Sequence, residues 1–358
     1  MENVNGLSLD LLIHPGKTLK ELLEERNMTQ EELAIRTLYS PKHISEVVRG
    51  KKDISSEFAS RLEYALSIPA SFWMNLQGNY DKEIFKINSI ASISKEELAI
   101  LNELKEVIRF CEDKNIIECN SKKEITVLNM RKFLNINNLC SISDLPLGKI
   151  AFRGSKKNKV NIYVLYAWQK ICEYIASENI LKNSYDEDVL ISKLCDIKST
   201  MFLPLEEMIN RLKQIFSECG ITFLVVKQFR GAPVQGFIKK KNNTFILCMT
   251  TRQSYSDIFW FTLFHEIGHI LNGDLTDKYI DYQFIGNEEE DSADYFSRYI
   301  LIDEDDYKSF LTKNDLTIKS IEAFAESQGV NPSIVIGRIQ RDKNDYSFMS
   351  KYREKYVW

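Results

Sequence analysis

The sequence predicts an α+β fold that is predominantly helical, and three observations carry that expectation. The first eighty residues read as short helices joined by tight turns, each with its own start and stop signals. Two later segments, ITFLVVKQF and GFIKKKNNTFILCMT, alternate in the manner of strands, the second turning back at KNN. Between them and the C-terminus lies a helix that is apolar on nearly every side and yet contains HEIGH. The expected division is 1–80 for an N-terminal helix-turn-helix bundle, 81–200 for a helical middle region, and 201–358 for a domain with a small β-sheet around the HEIGH helix.

In the first unit, HPGKTLKELLEERN starts a helix at Pro15 and buries Leu19, Leu22 and Leu23. TQEELAIRT follows with Thr29 as N-cap and Glu32 three residues later, a capping box. A turn through Leu38 and Tyr39 leads to SPKHISEVVRG, where Ser40 caps, Pro41 comes first and Gly50 closes the helix. EFASRLEYALSI supplies a fourth helix. Two short helices across a tight turn inside such a bundle form a helix-turn-helix. That motif places the N-terminal end of its second helix in the major groove. Lys42, His43 and Glu46 are therefore expected at base edges, Arg49 further along, and Gln30, Lys51 and Lys52 at phosphates. Operator DNA is the implied partner. With so few basic contacts per copy, a homodimer on a palindromic site is expected. A protein-interaction bundle competes with this reading, since Glu21, Glu24, Glu25, Glu31 and Glu32 crowd the opposite side. The positive charge gathered between Arg36 and Lys52 favours DNA.

The stretch DKEIFKINSIASISK, after Tyr80, is rich in Ser, Lys and Asn and reads as a flexible boundary. ISKEELAILNELKEVIRFCEDKN, ITVLNMRKFLNI and YVLYAWQKICEYIASENI then show helical spacing, with aromatics such as Trp168 assigned to the core. LPLEEMINRLKQIFSECG is a further helix ending at Gly220. The strands after it offer an edge to which an extended peptide could add, or simply roof the core. GVNPSIVIGRIQ is read as a structural end-piece of the C-terminal domain.

HEIGH carries the chemistry. Residues four apart share a helix face, so His265 and His269 can offer their imidazoles to one Zn²⁺. Glu266, one position round, can take a proton from a metal-activated water. The chain has four histidines, which makes this spacing a poor accident, and burying the trio without a metal would be costly. Ser256 or Asp257 is the expected N-cap and Gly273 the stop. A third ligand is needed. The seven cysteines are scattered, and His14 and His43 lie elsewhere, which leaves a carboxylate from NEEEDSADYFSRYILI. There Ala293, Phe296 and Ile300 form an apolar stripe, with Glu290 and Asp294 four apart beside it. Glu290 is expected to ligate and Asp294 to orient a ligand histidine. Glu288, Glu289 and Asp291 are expected to be a solvated acidic cluster at the helix start. With no further histidine available, Arg252, Tyr255, Tyr295, Tyr299 or a backbone N–H remain open as the group that steadies an oxyanion.

Composition adds boundaries. The formal charge of −4 argues neither for nor against nucleic acid. No apolar run approaches a membrane span and MENVNGLSLD lacks a signal pattern, so no membrane partner is expected. Seven cysteines without pair spacing suit a reducing, cytoplasmic location.

The segments HPGKTLKELLEERNMTQEELA, SPKHISEVVRGKKDIS and PASFWMNLQGNYD resemble HigA-type antitoxins of the XRE helix-turn-helix family. HEIGH with EDSADYFSRYIL, preceded by FWFTLF, resembles the ImmA/IrrE family of zinc-dependent metallopeptidases. FRGS at 152–155, YAWQKICEYIA at 166–176 and GVNPSIVIGRIQ at 329–340 extend that likeness. The resemblance implies a zincin-like metallopeptidase domain with Zn²⁺ on His265, His269 and Glu290 and with Glu266 as the catalytic base. It also implies a narrow substrate, a repressor or antitoxin protein. One departure is visible: a proline that commonly follows the second acidic helix is missing from YILIDED, which touches a helix end rather than the ligands. Self-cleavage between about Asp81 and Lys95, releasing the DNA-binding unit, follows as an expectation from the flexible boundary. The alternative is a non-proteolytic antitoxin or repressor in which the peptidase fold serves sensing or binding of a cognate toxin.

Overall fold

The computed structural model describes residues 12–145, 160–252, 254–273 and 287–358, with side chains from 290 onward in the last segment. FRGS at 152–155 and the side chains of Glu288 and Glu289 lie outside the described residues. The chain forms two compact units, one of Met1–Leu98 with Asn120–Leu128 and the other of Ala99–Cys119 with Asn129–Trp358. The expected boundary at 200/201 falls inside the second unit. Among the described residues no helix is long and apolar enough to cross a membrane.

The first unit contains α1 (Pro15–Glu25), α2 (Gln30–Thr37), α3 (Pro41–Val48), α4 (Ser56–Leu66) and α5 (Ala70–Ala91). Their starts are set by side-chain caps: Thr29 Oγ1 accepts from Glu32 N at 3.1 Å and Ser40 Oγ from His43 N at 3.2 Å. The Glu32 carboxylate turns to Arg36 at 2.6 Å, so the hydroxyl half of the expected capping box is the part recorded. Leu19, Leu33, Ile44, Val47, Phe58, Leu62 and Trp73 close a single core. Gln77 ties α5 to the loop after α3, accepting from Ile54 N at 3.0 Å and donating to Asp53 and Asp81.

The stretch after Tyr80 is not the flexible boundary the composition suggested. α5 continues unbroken to Ala91, with Ile84, Ile87 and Ile90 half-buried at helical spacing. A few tenths of a kcal/mol of unfavourable propensity per Ser or Asn is too little to stop a helix already nucleated and packed upstream. α6 (Lys95–Glu103), α7 (Lys105–Asp113) and α8 (Lys123–Leu134) follow.

The second unit continues through α9 (Ile162–Ser177), α10 (Glu187–Ser199) and α11 (Leu205–Glu218) into three strands, β1 (Ile221–Val226), β2 (Gly236–Lys241) and β3 (Thr244–Thr250). The sheet order is β1-β3-β2, with β2 antiparallel and β1 parallel to the central β3. KNN is the turn between β2 and β3, and Asn242 takes the left-handed conformation there, φ 54°. β3 is buried along almost its whole length, because helices cover the sheet. β2 lies at one edge.

Next come α12 (Ser256–Leu271), α13 (Asn287–Leu301), α14 (Glu304–Thr312), α15 (Ile318–Ser327) and α16 (Pro332–Lys343). α12 is the HEIGH helix, sunk in a core that includes Phe216, Phe223, Leu247, Leu263, Phe264, Ile267 and Ile339. Its N-cap is Tyr255 without a side-chain cap, rather than Ser256 or Asp257. Asp257 is engaged elsewhere: both its oxygens meet the Arg353 guanidinium at 2.6–3.0 Å, with both side chains almost fully buried. The start of α12 is satisfied instead by the chain returning from the C-terminus. Ser256 N donates to Glu354 O at 3.1 Å, Tyr356 N donates to Ser254 O at 2.6 Å, and Trp260 Nε1 donates to the Tyr356 hydroxyl at 2.8 Å.

Candidate metal centre and nucleic-acid face

The centre of the second unit is assembled by two helices that approach unusually closely. A Cβ built on Gly268 would meet Ala293 Cα at 3.0 Å, so the glycine of HEIGH is what lets α13 lie against α12. One turn before Ala293 sits Glu290, and one residue after it sits Asp294. Both carboxylates are thereby delivered to the two histidines.

His265 and His269 are almost fully buried, their rings edge to face with centroids 4.5 Å apart. Their Nε2 atoms lie 3.0 Å from each other. Glu290 completes a triangle, with Oε2 at 3.4 Å from His265 Nε2 and Oε1 at 3.6 Å from His269 Nε2. On the far side of the ring, His265 Nδ1 meets Asp294 Oδ1 at 2.8 Å. A proton on Nδ1 facing that carboxylate leaves Nε2 as a lone pair, aimed at the other donors. Three donor atoms then converge: His265, His269 and Glu290 form a group that could hold a metal ion. Tetrahedral zinc with bonds of roughly 2.0–2.1 Å separates its ligands by about 3.3 Å, close to the triangle seen here. The residues present fit the ion.

Glu266 is half-buried, and its Oε1 would lie 2.6 Å from a Cβ built on Gly236. The carboxylate thus sits over the first backbone residue of the edge strand β2. Asp294 has a further contact that sequence reasoning missed. Its Oδ2 meets Arg341 Nη2 of α16 at 2.8 Å, with Arg298 Nη2 at 4.0 Å. No local pattern announces a partner 47 residues away.

The candidates for steadying an oxyanion are scattered. Arg252 donates to the Pro233 carbonyl, Tyr255 lies under the Arg353 guanidinium, and Tyr295 and Tyr299 stack on each other on the exposed side of α13.

In the first unit, Lys42, Arg49, Lys51 and Lys52 are exposed, while Gln30 and Glu46 are half-buried, Glu46 lying 4.0 Å from Lys42. His43, half-buried beside them, packs its ring against neighbouring aromatics. Its ring stacks on Tyr39 at 4.2 Å and meets Phe58 edge-on at 5.0 Å, with Nε2 buried. Burial, reinforced by Lys52, holds its pKa below the usual 6.5.

Comparison with known proteins meets this geometry at the N-terminus. Residues 19–73 match the helix-turn-helix family. Over 70 residues the chain is 36% identical to virulence-associated protein I of Dichelobacter nodosus, a stretch that is 19% of this chain and 65% of that protein's length. Among solved structures, the Pseudomonas aeruginosa antitoxin HigA with the higBA promoter is 33% identical, covering 22% of this chain and 85% of its own, TM-score 0.21. The Pseudomonas aeruginosa protein PA4674 in complex with its operator DNA is 37% identical, covering 19% of this chain and 75% of its own, TM-score 0.19. The N-terminal unit of this chain is a helix-turn-helix domain of the XRE type.

Proposed function

We propose that this chain is a cytoplasmic DNA-binding regulator of the antitoxin kind whose second unit is a zinc-dependent metallopeptidase. The observation that carries the peptidase reading is the triangle of His265, His269 and Glu290, with Asp294 at the outer nitrogen of His265 and Glu266 one step away on the same helix. Zinc, when bound, would lower the pKa of a water and polarise the scissile carbonyl. The chain's own residues do the rest. Asp294 keeps the proton on His265 Nδ1 so that Nε2 is available. Glu266 accepts a proton from the attacking water and passes it to the departing amine. Gly236, lacking a side chain, leaves Glu266 its place beside the β2 edge, where an extended peptide can pair with backbone groups. The substrate on this reading is a separate repressor or antitoxin protein. The helical course of 70–91 does not offer the extended conformation that cleavage after Tyr80 would require.

The purified protein should hold about one zinc per chain, lost in His265→Ala and His269→Ala. Glu266→Gln should retain the metal and abolish cleavage of a co-expressed repressor. Undiminished cleavage by Glu266→Gln removes the hydrolytic mechanism and leaves the non-proteolytic regulator, with the fold serving sensing or toxin binding.

The helix-turn-helix unit is proposed to bind a two-fold symmetric operator as a homodimer, through α3 and the basic turn that follows it. Lys51→Ala and Lys52→Ala should weaken binding to every sequence and reduce its salt dependence, whereas Lys42→Ala should relax sequence preference. A gel shift across a salt series reads both. Binding without sequence preference at any salt would turn the assignment toward a protein-interaction bundle.

A further inference from the structure

The segment GVNPSIVIGRIQ looked like an end-piece, yet the helix it begins reaches the metal centre. α16 is held against α12 at Gly337, where an added Cβ would fall 2.2 Å from Asp257 Oδ2, closer than any real side chain allows. It is also fixed at Arg338, whose guanidinium pairs with Glu304 and lies over the Tyr307 ring at 4.1 Å from its centroid. One helical turn beyond Gly337 is Arg341, and its Nη2 meets Asp294 Oδ2 at 2.8 Å while Asp294 Oδ1 faces His265 Nδ1 at 2.8 Å. The two oxygens of one carboxylate are thus divided between a guanidinium on a pinned helix and a ligand histidine.

We propose that Arg341 is a positioning residue of the metal centre: it fixes the plane of the Asp294 carboxylate, and through it the tautomer and orientation of His265. This rests on the zinc reading above. A carboxylate held by one oxygen can rotate about its last torsion, which is broad for this side chain. Held at both oxygens, it presents a single acceptor direction to Nδ1–H. Arg341 is itself half-exposed, so its ion pair with Asp294 contributes little to global stability. Its effect is local and belongs to the site. Arg298, at 4.0 Å from the same oxygen, adds positive charge without a hydrogen-bonding distance.

The test is zinc affinity of the full chain, measured by competition with a chromogenic chelator at fixed pH, which requires no substrate. Changing an outer partner of a metal ligand typically weakens binding about 10–100-fold, and Asp294→Ala should fall in that range. Arg341→Gln should weaken zinc by up to about tenfold, and Arg341→Lys should recover part of the loss, since it restores the charge but not the fork. Arg298→Gln should lie near wild type. In an Asp294→Ala background, Arg341→Gln should cause no further loss, which a merely structural role would not produce. Wild-type affinity in Arg341→Gln beside a weakened Asp294→Ala overturns the inference and spares the zinc site. Losses that multiply in the double variant also overturn it. No zinc bound by the wild type overturns the metal reading itself, and this inference with it.

Discussion

His43 shows how one side chain at the start of a short helix packs on its neighbours. It follows Ser40, Pro41 and Lys42 at the start of α3, and its ring packs on Tyr39 and Phe58. Its folded-state pKa lies below 6.5, so the unfolded chain binds the proton more readily. The stability tied to the neutral ring is therefore present above about 6.5 and lost as the pH falls through the lowered folded value. Melting of the protein between pH 7.5 and 5 should show the helix-turn-helix unit weakening, and His43→Phe should flatten that dependence. An unchanged slope in His43→Phe would assign the acid sensitivity to other groups. What was legible at this scale was spacing within each of two helices: His265 with His269, and Glu290 with Asp294, follow from four-residue intervals, and the pairs lie together in space. The packing of His43 on Tyr39 was not legible, because an eight-residue helix has positions that a single neighbouring aromatic can cover.

At the scale of elements, the sheet was readable as strands but not as topology. The alternation of 221–226 and the KNN turn announced three strands and a hairpin. The parallel pairing of β1 with β3, which places β2 at an edge, depends on long-range packing that no local pattern encodes. That topology gives Gly236 its importance, since a Cβ there would fall 2.6 Å from Glu266 Oε1 and 2.9 Å from Thr262 Cγ2. Gly236→Val should displace the Glu266 carboxylate while leaving His265, His269 and Glu290 in place. The expected result is zinc content equal to wild type with cleavage reduced at least about a hundredfold, the lower end of what a general base contributes. Loss of zinc in parallel would mean that the strand also supports the ligands. The helix α5 was misread for a related reason, since composition reports solvation whereas continuity is decided by what the preceding turns already pack against.

For the molecule as a whole, the decisive long-range feature is the return of residues 353–356 to the start of the HEIGH helix. Burial raises the Asp257 pKa even though Arg353 and the backbone act in the opposite sense, so the pair's net contribution is modest while both partners stand. Removing one partner is a different matter. Arg353→Ala leaves a buried carboxyl unmatched and should cost about 3–5 kcal/mol. For a unit of this size that corresponds to a fall of roughly 6–20 °C in melting temperature. Calorimetry reads it, and a shift of a degree or two would show that Asp257 finds water or another donor instead.

The same return has a consequence in time. Asp257 and Arg353, like Trp260 and Tyr356, are separated by 96 residues. A ribosome adding roughly 5–20 residues per second completes that interval in about 5–20 s. Throughout it the most apolar helix of the chain has been made and its closing strap has not. The nascent protein therefore carries His265 and His269 on an unclosed, adhesive segment, within reach of chaperones, until the strap is made.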